Sequence, residues 1–278
     1  MLTQQSKAES FRAMHRGPGI LLLPNAWDAA SARIFEQAGF SAIATTSAGI
    51  AFALGYPDGQ RIPKPDMLNQ IASIVRAVDV PVTADVEGGY GERPEDAAQT
   101  ARQVIEAGAI GLNLEDATED SARPLADLPL QLEKIKAVML AAKTAGVPLV
   151  LNARTDVYLA QAGVPESRYA EALRRLSAFR DAGADCLFAP GICDSPTIAK
   201  LVSDLRFPIN ILASPGAPSV PELQKLGVAR VSVGSGPMRV ALGMVQRFAQ
   251  EFKDRGTYSA LATAPSYDEV NRIMASRS

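Results

Sequence analysis

The chain has 278 residues, of which 47% are hydrophobic and 21% charged, and its formal net charge is −2. This length suits one barrel-sized domain, and Lys and Arg are too dispersed to form a nucleic-acid surface. No apolar run approaches the roughly 20 residues of a membrane-spanning helix, and the polar N-terminus lacks the apolar stretch of a secretory signal. We therefore expect a cytoplasmic protein without nucleic-acid or membrane partners.

Cysteine and histidine are scarce, which limits the available chemistry. Cys186 and Cys193 form no CxxC pair and predict neither a zinc site nor a disulfide. Cys186 lies in an apolar run and is expected to be a buried thiol. Because His15 is the single histidine and falls in a predicted N-terminal helix, proton transfer must rely on carboxylates, tyrosine or metal-bound water.

Short apolar runs rich in β-branched residues alternate with longer helical patterns, which indicates parallel strands joined by helices. The predicted strands are 20–24, 42–46, 80–85, 110–115, 149–153, 186–189, 209–213 and 230–234. The predicted helices are 29–37, 66–78, 94–107, 130–145, 167–182, 196–203, 220–226 and 238–252. Five helices end in similar motifs, EQAGF, EAGAI, TAGVP, DAGAD and KLGVA, in which the glycine accepts the left-handed conformation that ends a helix.

Eight strands with eight following helices favour an α/β fold, a closed (β/α)₈ TIM barrel. The alternative, an open doubly wound sheet, would place GxGxxG after the first strand, and that motif is absent. We predict one barrel domain over residues 1–278, with 253–278 as a C-terminal helical extension. The segment PSYDEVNRIM predicts an extra helix at 265–275, whose apolar face must cover the barrel or a partner subunit.

Polar side chains follow the first five predicted strands, at the end of the barrel where active sites lie. They are Asn25, Trp27, Asp28, Thr45, Thr46, Ser47, Asp85, Glu87, Asn113, Glu115, Asp116, Asn152, Arg154 and Asp156. Adjacent strands are about 4.8 Å apart, so Asp85, Glu87 and Glu115 could surround one ion, and oxygen ligands favour Mg²⁺ or Mn²⁺. Alternatively, these acids are solvated loop charges balanced by arginines. The glycines of GGYG after Glu87 favour the site, since they let the backbone turn closely around a ligand.

Arg154 ends an apolar strand, and its guanidinium suits bidentate capture of a substrate carboxylate. The alternative is an ion pair with Asp156 or Glu115. Long connections follow the second and fourth strands, at 47–65 and 117–129. Connections of this length often serve as lids over active sites.

Four segments, PNAWDAASARIFEQAGFSAIATTSAGIAFALGYPDG, PVTADVEGGYG, GLNLEDA and NARTD, occur in this order along the chain. Through them the chain resembles the isocitrate lyase and phosphoenolpyruvate mutase superfamily. The resemblance implies a (β/α)₈ barrel, often a tetramer whose last helix is exchanged between subunits. We therefore expect a homo-oligomer, a tetramer or dimer, with 265–275 suited to that exchange.

The resemblance also implies roles for individual residues. Asp85, Glu87 and Glu115 would form a magnesium site, partly through water, and Arg154 would hold a carboxylate. The backbone at Thr46, Ser47 and Ala48 would cradle substrate oxygens, with Trp27 and Asp85 also at the substrate. Asp58 would be the acid of the first mobile loop. Apart from the resemblance, water, Tyr90, Tyr158 or Asp58 could supply a proton to an enolate.

Two departures from the family pattern narrow the chemistry. The KxCGH segment of the isocitrate and methylisocitrate lyases is replaced by ATEDSARPLADLP, without the acid/base cysteine. The lysine, asparagine and histidine of the phosphonopyruvate enzymes are also missing, and Thr118, Ser121, Arg123 and Pro190 stand in those regions.

The remaining core predicts an Mg²⁺-dependent lyase or decarboxylase acting on a small 2-oxo acid or dicarboxylate such as oxaloacetate, through a metal-stabilised enolate. A phosphoenolpyruvate or phosphonopyruvate mutase or hydrolase is the first alternative, and a barrel that only binds a dicarboxylate is the second. A Schiff-base aldolase would need a lysine in the barrel mouth. Predicted helices or their flanking loops contain Lys64, Lys134, Lys136, Lys143, Lys200 and Lys225, which argues against this alternative.

Overall fold

A computed structural model describes residues 3–118 and 120–275. Position 119 of the second predicted lid and residues 276–278 of the predicted extension lie outside these ranges. The described residues form one sheet of parallel strands that closes on itself. The predicted (β/α)₈ barrel is therefore confirmed.

The elements alternate along the chain as predicted. The strands are β1 (Leu21–Leu23), β2 (Asn25–Ala26), β3 (Ile43–Thr45), β4 (Val82–Asp85), β5 (Gly111–Glu115), β6 (Val150–Arg154), β7 (Cys186–Phe188), β8 (Ile209–Leu212) and β9 (Arg230–Ser232). The helices are α1 (Gln4–Met14), α2 (Ala29–Gln37), α3 (Ser47–Ala53), α4 (Lys64–Ala77), α5 (Pro94–Glu106), α6 (Leu128–Thr144), α7 (Pro165–Asp181), α8 (Ser195–Leu205), α9 (Val220–Lys225), α10 (Gly236–Arg255) and α11 (Tyr267–Ala275), with a 3₁₀ helix at Ser259–Thr263. Each predicted strand overlaps an observed one.

The first barrel strand is divided at Pro24. Proline has no backbone N–H to donate to a neighbouring strand, and Pro24 contributes only its carbonyl, which accepts from the Ala44 N–H at 2.9 Å. On either side of Pro24, β1 pairs with β9 and β2 pairs with β3. The barrel thus closes through both halves of one interrupted strand.

The structure changes one prediction about the connections and confirms another about the helix ends. The connection 47–65 is not a continuous loop, because its first part forms α3. The five glycines of the helix-ending motifs, Gly39, Gly108, Gly146, Gly183 and Gly227, all have positive φ angles. The predicted left-handed helix ends are therefore confirmed.

Helix α1 closes the N-terminal end of the barrel. Ala8 and Phe11 are fully buried in a second hydrophobic cluster with residues from the strand beginnings, including Leu21 and Val150. Arg12 fixes the helix from outside, since its Nε lies 2.9 Å from Asp185 Oδ1 and its Nη2 donates to the Leu149 carbonyl. The larger cluster lies between the strands and the surrounding helices.

A polar layer separates this apolar end from the mouth of the barrel. Asn152 Nδ2 donates to Asn113 Oδ1 at 2.8 Å, and the fully buried Arg230 donates to the same oxygen at 3.5 Å. Burial lowers the pKa of Arg230 to about 10. Since arginine stays charged even so, a positive charge lies inside the barrel.

No helix among the described residues is long and apolar enough to cross a membrane.

Candidate active site

The predicted acids lie at the mouth of the barrel. Asp85 ends β4 and Glu115 ends β5, and both side chains are buried, as is that of Glu87 just beyond β4. Strand register pairs Asp85 with Asn113 and Glu115 with Arg154. The structure therefore brings the acids of two neighbouring strands to one edge of the barrel.

Helix α3 orients Asp85. Ser47 donates to Asp85 Oδ2 from its backbone N–H at 3.0 Å and from its hydroxyl at 2.8 Å. Thr46 caps α3 by accepting from the Gly49 N–H, and Ala48 lies in the first turn of α3. Asp85 Oδ1, in contrast, is buried and has no hydrogen-bond partner. One oxygen of Asp85 is fixed by protein, and the other is free to bind a ligand.

Glu87 lies in an unfavourable electrostatic setting. Its Oε2 accepts from the Gln60 N–H at 2.7 Å. Burial raises the pKa of Glu87 to about 8, and the nearby charges of Asp85 and Asp58 act in the same direction. A positive charge at this place would relieve the repulsion between these carboxylates.

Arg154 forms both ion pairs that the sequence left open. Its Nε and Nη2 donate to the two oxygens of Asp156 at 2.6 and 2.8 Å, and its Nη1 lies 2.7 Å from Glu115 Oε2. Burial lowers the pKa of Arg154, but Glu115 and Asp156 raise it more, so that it lies above its usual range. A guanidinium has five N–H donors, which leaves two for a substrate carboxylate.

Glu115 is buried against Arg154. Burial raises the pKa of Glu115 well above its ordinary value, Arg154 opposes this shift, and Asp156, Asp85 and Glu87 add to it. The Glu115 side chain therefore depends on Arg154, or on another cation, to remain charged.

A divalent cation fits this site in part. The donors are hard oxygens, and Asp85 Oδ1 is a buried acceptor without a partner. Across residues 3–118 and 120–275, however, no three Asp, Glu, His or Cys side chains are arranged to enclose one ion. Glu87 is turned towards Gln60 and Glu115 towards Arg154. The three carboxylates are thus not gathered directly around one point, and a magnesium site formed partly through water stays a prediction.

The other predicted residues surround this cluster. Trp27 lies close to α3, since a methyl group added to Gly49 would come within 3.1 Å of the Trp27 Cβ. The Tyr90 hydroxyl is buried without a partner, and Tyr90 and Glu115 line one cavity of about 720 Å³. Asp58 is exposed. Tyr158 is partly buried after β6, next to Gly191.

Sequence reasoning missed four residues that support the site. Arg175 on α7 pairs with the buried Asp116, Lys134 on α6 is buried against the turn after β4, and Gln60 contacts Glu87. Arg230 could have been found, because the period of two along β9 points it into the barrel. The sequence places Lys134 in a helix, and that position does not show where its long side chain ends.

The fold and the site together define a class of protein: a (β/α)₈ barrel enzyme with carboxylates and an arginine at its C-terminal face. The family model of phosphoenolpyruvate phosphomutase matches residues 11–253. The chain belongs to this family, and the resemblance to the isocitrate lyase and phosphoenolpyruvate mutase superfamily is confirmed.

Several known proteins are similar over most of the chain. A 2-methylisocitrate lyase from Bacillus subtilis is 30% identical over 218 residues, 76% of this chain and 68% of that protein. An oxaloacetate decarboxylase from Bradyrhizobium diazoefficiens is 25% identical over 277 residues, 97% and 93% of the two chains. A solved structure from Burkholderia cenocepacia J2315 is 41% identical with a TM-score of 0.92, covering 98% of this chain and 97% of that one. For 2,3-dimethylmalate lyase the identity is 27%, the TM-score 0.86 and the coverage 99% and 95%. The chain is accordingly an enzyme of this superfamily, whose members are lyases or mutases that act on small acids.

Proposed function

We propose that this enzyme is a lyase that cleaves a carbon–carbon bond of a small 2-oxo acid, with oxaloacetate decarboxylation as the reference reaction and Mg²⁺ or Mn²⁺ as cofactor. The observation that carries the proposal is the buried, unpartnered Asp85 oxygen beside Glu87, Glu115 and Arg154 at the barrel mouth. The similarity to an oxaloacetate decarboxylase over nearly the whole chain supports it. The absence of the lyase cysteine also supports it, because decarboxylation needs no thiol.

In this proposal, Arg154 binds the substrate and Ser47 orients Asp85. The two remaining N–H donors of Arg154 bind the carboxylate next to the 2-oxo group, and the Ser47 contacts keep Asp85 oriented towards the substrate. A divalent cation, when bound, supplies a Lewis acid that draws electrons from the carbonyl. When CO₂ leaves oxaloacetate, its bonding electrons remain on C3, which must then gain a proton to give pyruvate.

Tyr90 is a suitable proton donor for that last step. Burial raises the pKa of its hydroxyl above the ordinary value, and the charges of Glu87 and Asp85 raise it further. The raised pKa makes the hydroxyl a weak acid, so the role rests on its position: among the described residues it is buried without a hydrogen-bond partner and can donate to a strongly basic carbon.

Pyruvate release from oxaloacetate, with EDTA and then with added Mg²⁺, tests the proposal after subtraction of the rate with Mg²⁺ alone. We expect metal-dependent turnover, and Asp85→Asn should lower kcat by about 100-fold or more. Asp66→Asn, at an exposed acid in the first turn of α4, is the matched control. Pyruvate from phosphonopyruvate alone would favour the mutase or hydrolase alternative, and binding without turnover would favour a binding barrel.

We also propose that the chain assembles with copies of itself. Helix α10 has 20 residues, of which Met238 is the buried one, and Val240, Val245 and Phe252 are among its exposed side chains. Leu22, on the outer face of β1, is 39% exposed. Because each barrel helix normally covers the strand wall, a second copy could cover both surfaces. Helix α11 instead contacts α2 of its own chain, which makes α10 the better candidate for exchange.

A further inference from the structure

Three residues around the site share an uncommon backbone conformation. Gln60, Glu87 and Tyr90 have φ angles of 56°, 52° and 57°. Residues with a side chain seldom adopt this left-handed region, and they keep it only when their surroundings fix it. The three therefore need contacts that stabilise this conformation.

Gln60 and the turn after β4 hold each other through two short hydrogen bonds. The Gln60 backbone N–H donates to Glu87 Oε2, and the Tyr90 backbone N–H donates to Gln60 Oε1, both at 2.7 Å. Gln60 belongs to the connection between α3 and α4, whereas Glu87 and Tyr90 follow β4. The two bonds thus join two separate connections of the barrel mouth.

Helices hold the same turn from other sides. Thr100 on α5 donates to the Gly89 carbonyl at 2.8 Å. Lys134 on α6 donates to the carbonyls of Gly88 and Gly91 at 3.1 and 2.7 Å. These contacts fix the backbone of the turn, but they do not touch the Glu87 carboxylate. Among the hydrogen bonds of the described residues, the one that directs this carboxylate comes from Gln60.

We propose that Gln60 is a positioning residue for Glu87. Its amide side chain anchors the α3–α4 connection on the Tyr90 N–H, and this anchor places its own backbone N–H on the Glu87 carboxylate. The orientation of the Glu87 carboxylate then depends on the position of the α3–α4 connection, which also contains Asp58. The importance of Glu87 rests on the proposed function, but the hydrogen-bonded link does not.

Hydrogen exchange of the metal-free protein tests the link. Gln60→Gly preserves the left-handed backbone and its N–H, yet removes the side-chain acceptor. We expect the amides of Tyr90 and residue 60, the two N–H groups of the link, to exchange at least about tenfold faster, since the connection loses its anchor. Gln60→Glu keeps an acceptor oxygen and should preserve the protection of the Tyr90 amide.

A control variant separates this effect from a general one. Gln161→Gly makes the same change at another left-handed glutamine, with φ 49°, in the connection after β6, and should leave the Tyr90 amide unchanged. Unaltered exchange at Tyr90 in Gln60→Gly would overturn the proposal.

Titration with Mg²⁺ then tests the consequence for Glu87. We expect Gln60→Gly to weaken Mg²⁺ binding by about tenfold, because loss of a contact that orients a metal-binding side chain typically has an effect of this size. Gln161→Gly should bind Mg²⁺ with unchanged affinity. Equal affinity in Gln60→Gly and wild type would refute the positioning role. If the wild type binds no Mg²⁺, the proposed function fails, while the exchange measurement still decides whether Gln60 holds the turn.

Discussion

Arg175 illustrates how single residues carry buried charge in this barrel. Its Nη1 donates to Asp116 Oδ2 at 3.0 Å and to the Ala126 carbonyl. Asp116 is fully buried and also accepts from the Thr155 hydroxyl and the Asp156 N–H. Asp116 therefore links β5 to the segment after β6, next to the residues that hold Arg154.

Loss of this guanidinium should destabilise the protein strongly. Arg175→Met leaves the buried Asp116 carboxylate without its cation, and we expect the free energy of unfolding to fall by about 3–5 kcal/mol. Arg174→Met is the control, because Arg174 binds the same Glu171 but is largely exposed, and should cost less than about 0.5 kcal/mol. Urea unfolding of both variants measures the difference, and equal losses would contradict this view of Arg175.

The two cysteines should differ sharply in reactivity. Burial raises the pKa of Cys186 to about 12, whereas Cys193 is a partly exposed free thiol. Because the thiolate is the reactive form, we expect one thiol per native chain to react with Ellman's reagent at pH 8, and two in urea. Cys193→Ser should abolish the native reaction, and a persisting fast thiol in that variant would disprove the assignment.

At the scale of elements, α1 links pH to stability through His15. The ring is buried, its Nδ1 lies 2.8 Å from the Phe11 carbonyl, and it packs edge-on against the Phe11 ring. Burial lowers the pKa of His15 from 6.5 to about 4, and the charge of Arg230 acts in the same direction. The protonated form is thus disfavoured in the folded state.

This lowered pKa predicts a definite dependence of stability on pH. Between pH 6.5 and 4 the unfolded chain binds a proton that the folded chain does not. The contribution of His15 therefore lowers the stability as the pH is lowered through this window, and it is constant above pH 6.5. The full loss from His15 is about 3 kcal/mol. His15→Phe should remove this component, and urea unfolding at pH 7.5 and 4.5 should show a smaller difference than in wild type. An identical pH dependence would exclude His15 as its source.

The elements also show how far sequence patterns predict this fold. All eight strands follow from their apolar runs, and the acids after β4 and β5 follow from the location of barrel sites. Helix α3 was missed because SAGIAFA adjoins the glycine-rich LGYPDG and resembles a loop. The contact between Gln60 and Glu87 depends on tertiary packing, since glutamine is seldom left-handed, and no local pattern marks it.

For the whole molecule, the exposed face of α10 predicts an oligomer. Light scattering after gel filtration should give a mass above the 29.4 kDa of one chain, because large apolar surfaces on soluble chains mark interfaces. Val240→Glu with Val245→Glu should shift the protein towards the monomer, since both side chains are more than 60% exposed. Gln246→Glu adds charge at a residue that is already polar and should preserve the assembly. A monomeric wild type would refute the proposed interface.

The closure of the barrel by α1 has a kinetic consequence. With Phe11 and Ala8 packed against the strand beginnings and side chains filling the barrel interior, the described structure leaves the carboxylates accessible from their own side of the barrel. Substrate must therefore enter, and both cleavage products must leave, through the same opening. A product that stays bound therefore blocks the next substrate molecule, and we expect the product to be a competitive inhibitor with respect to the substrate.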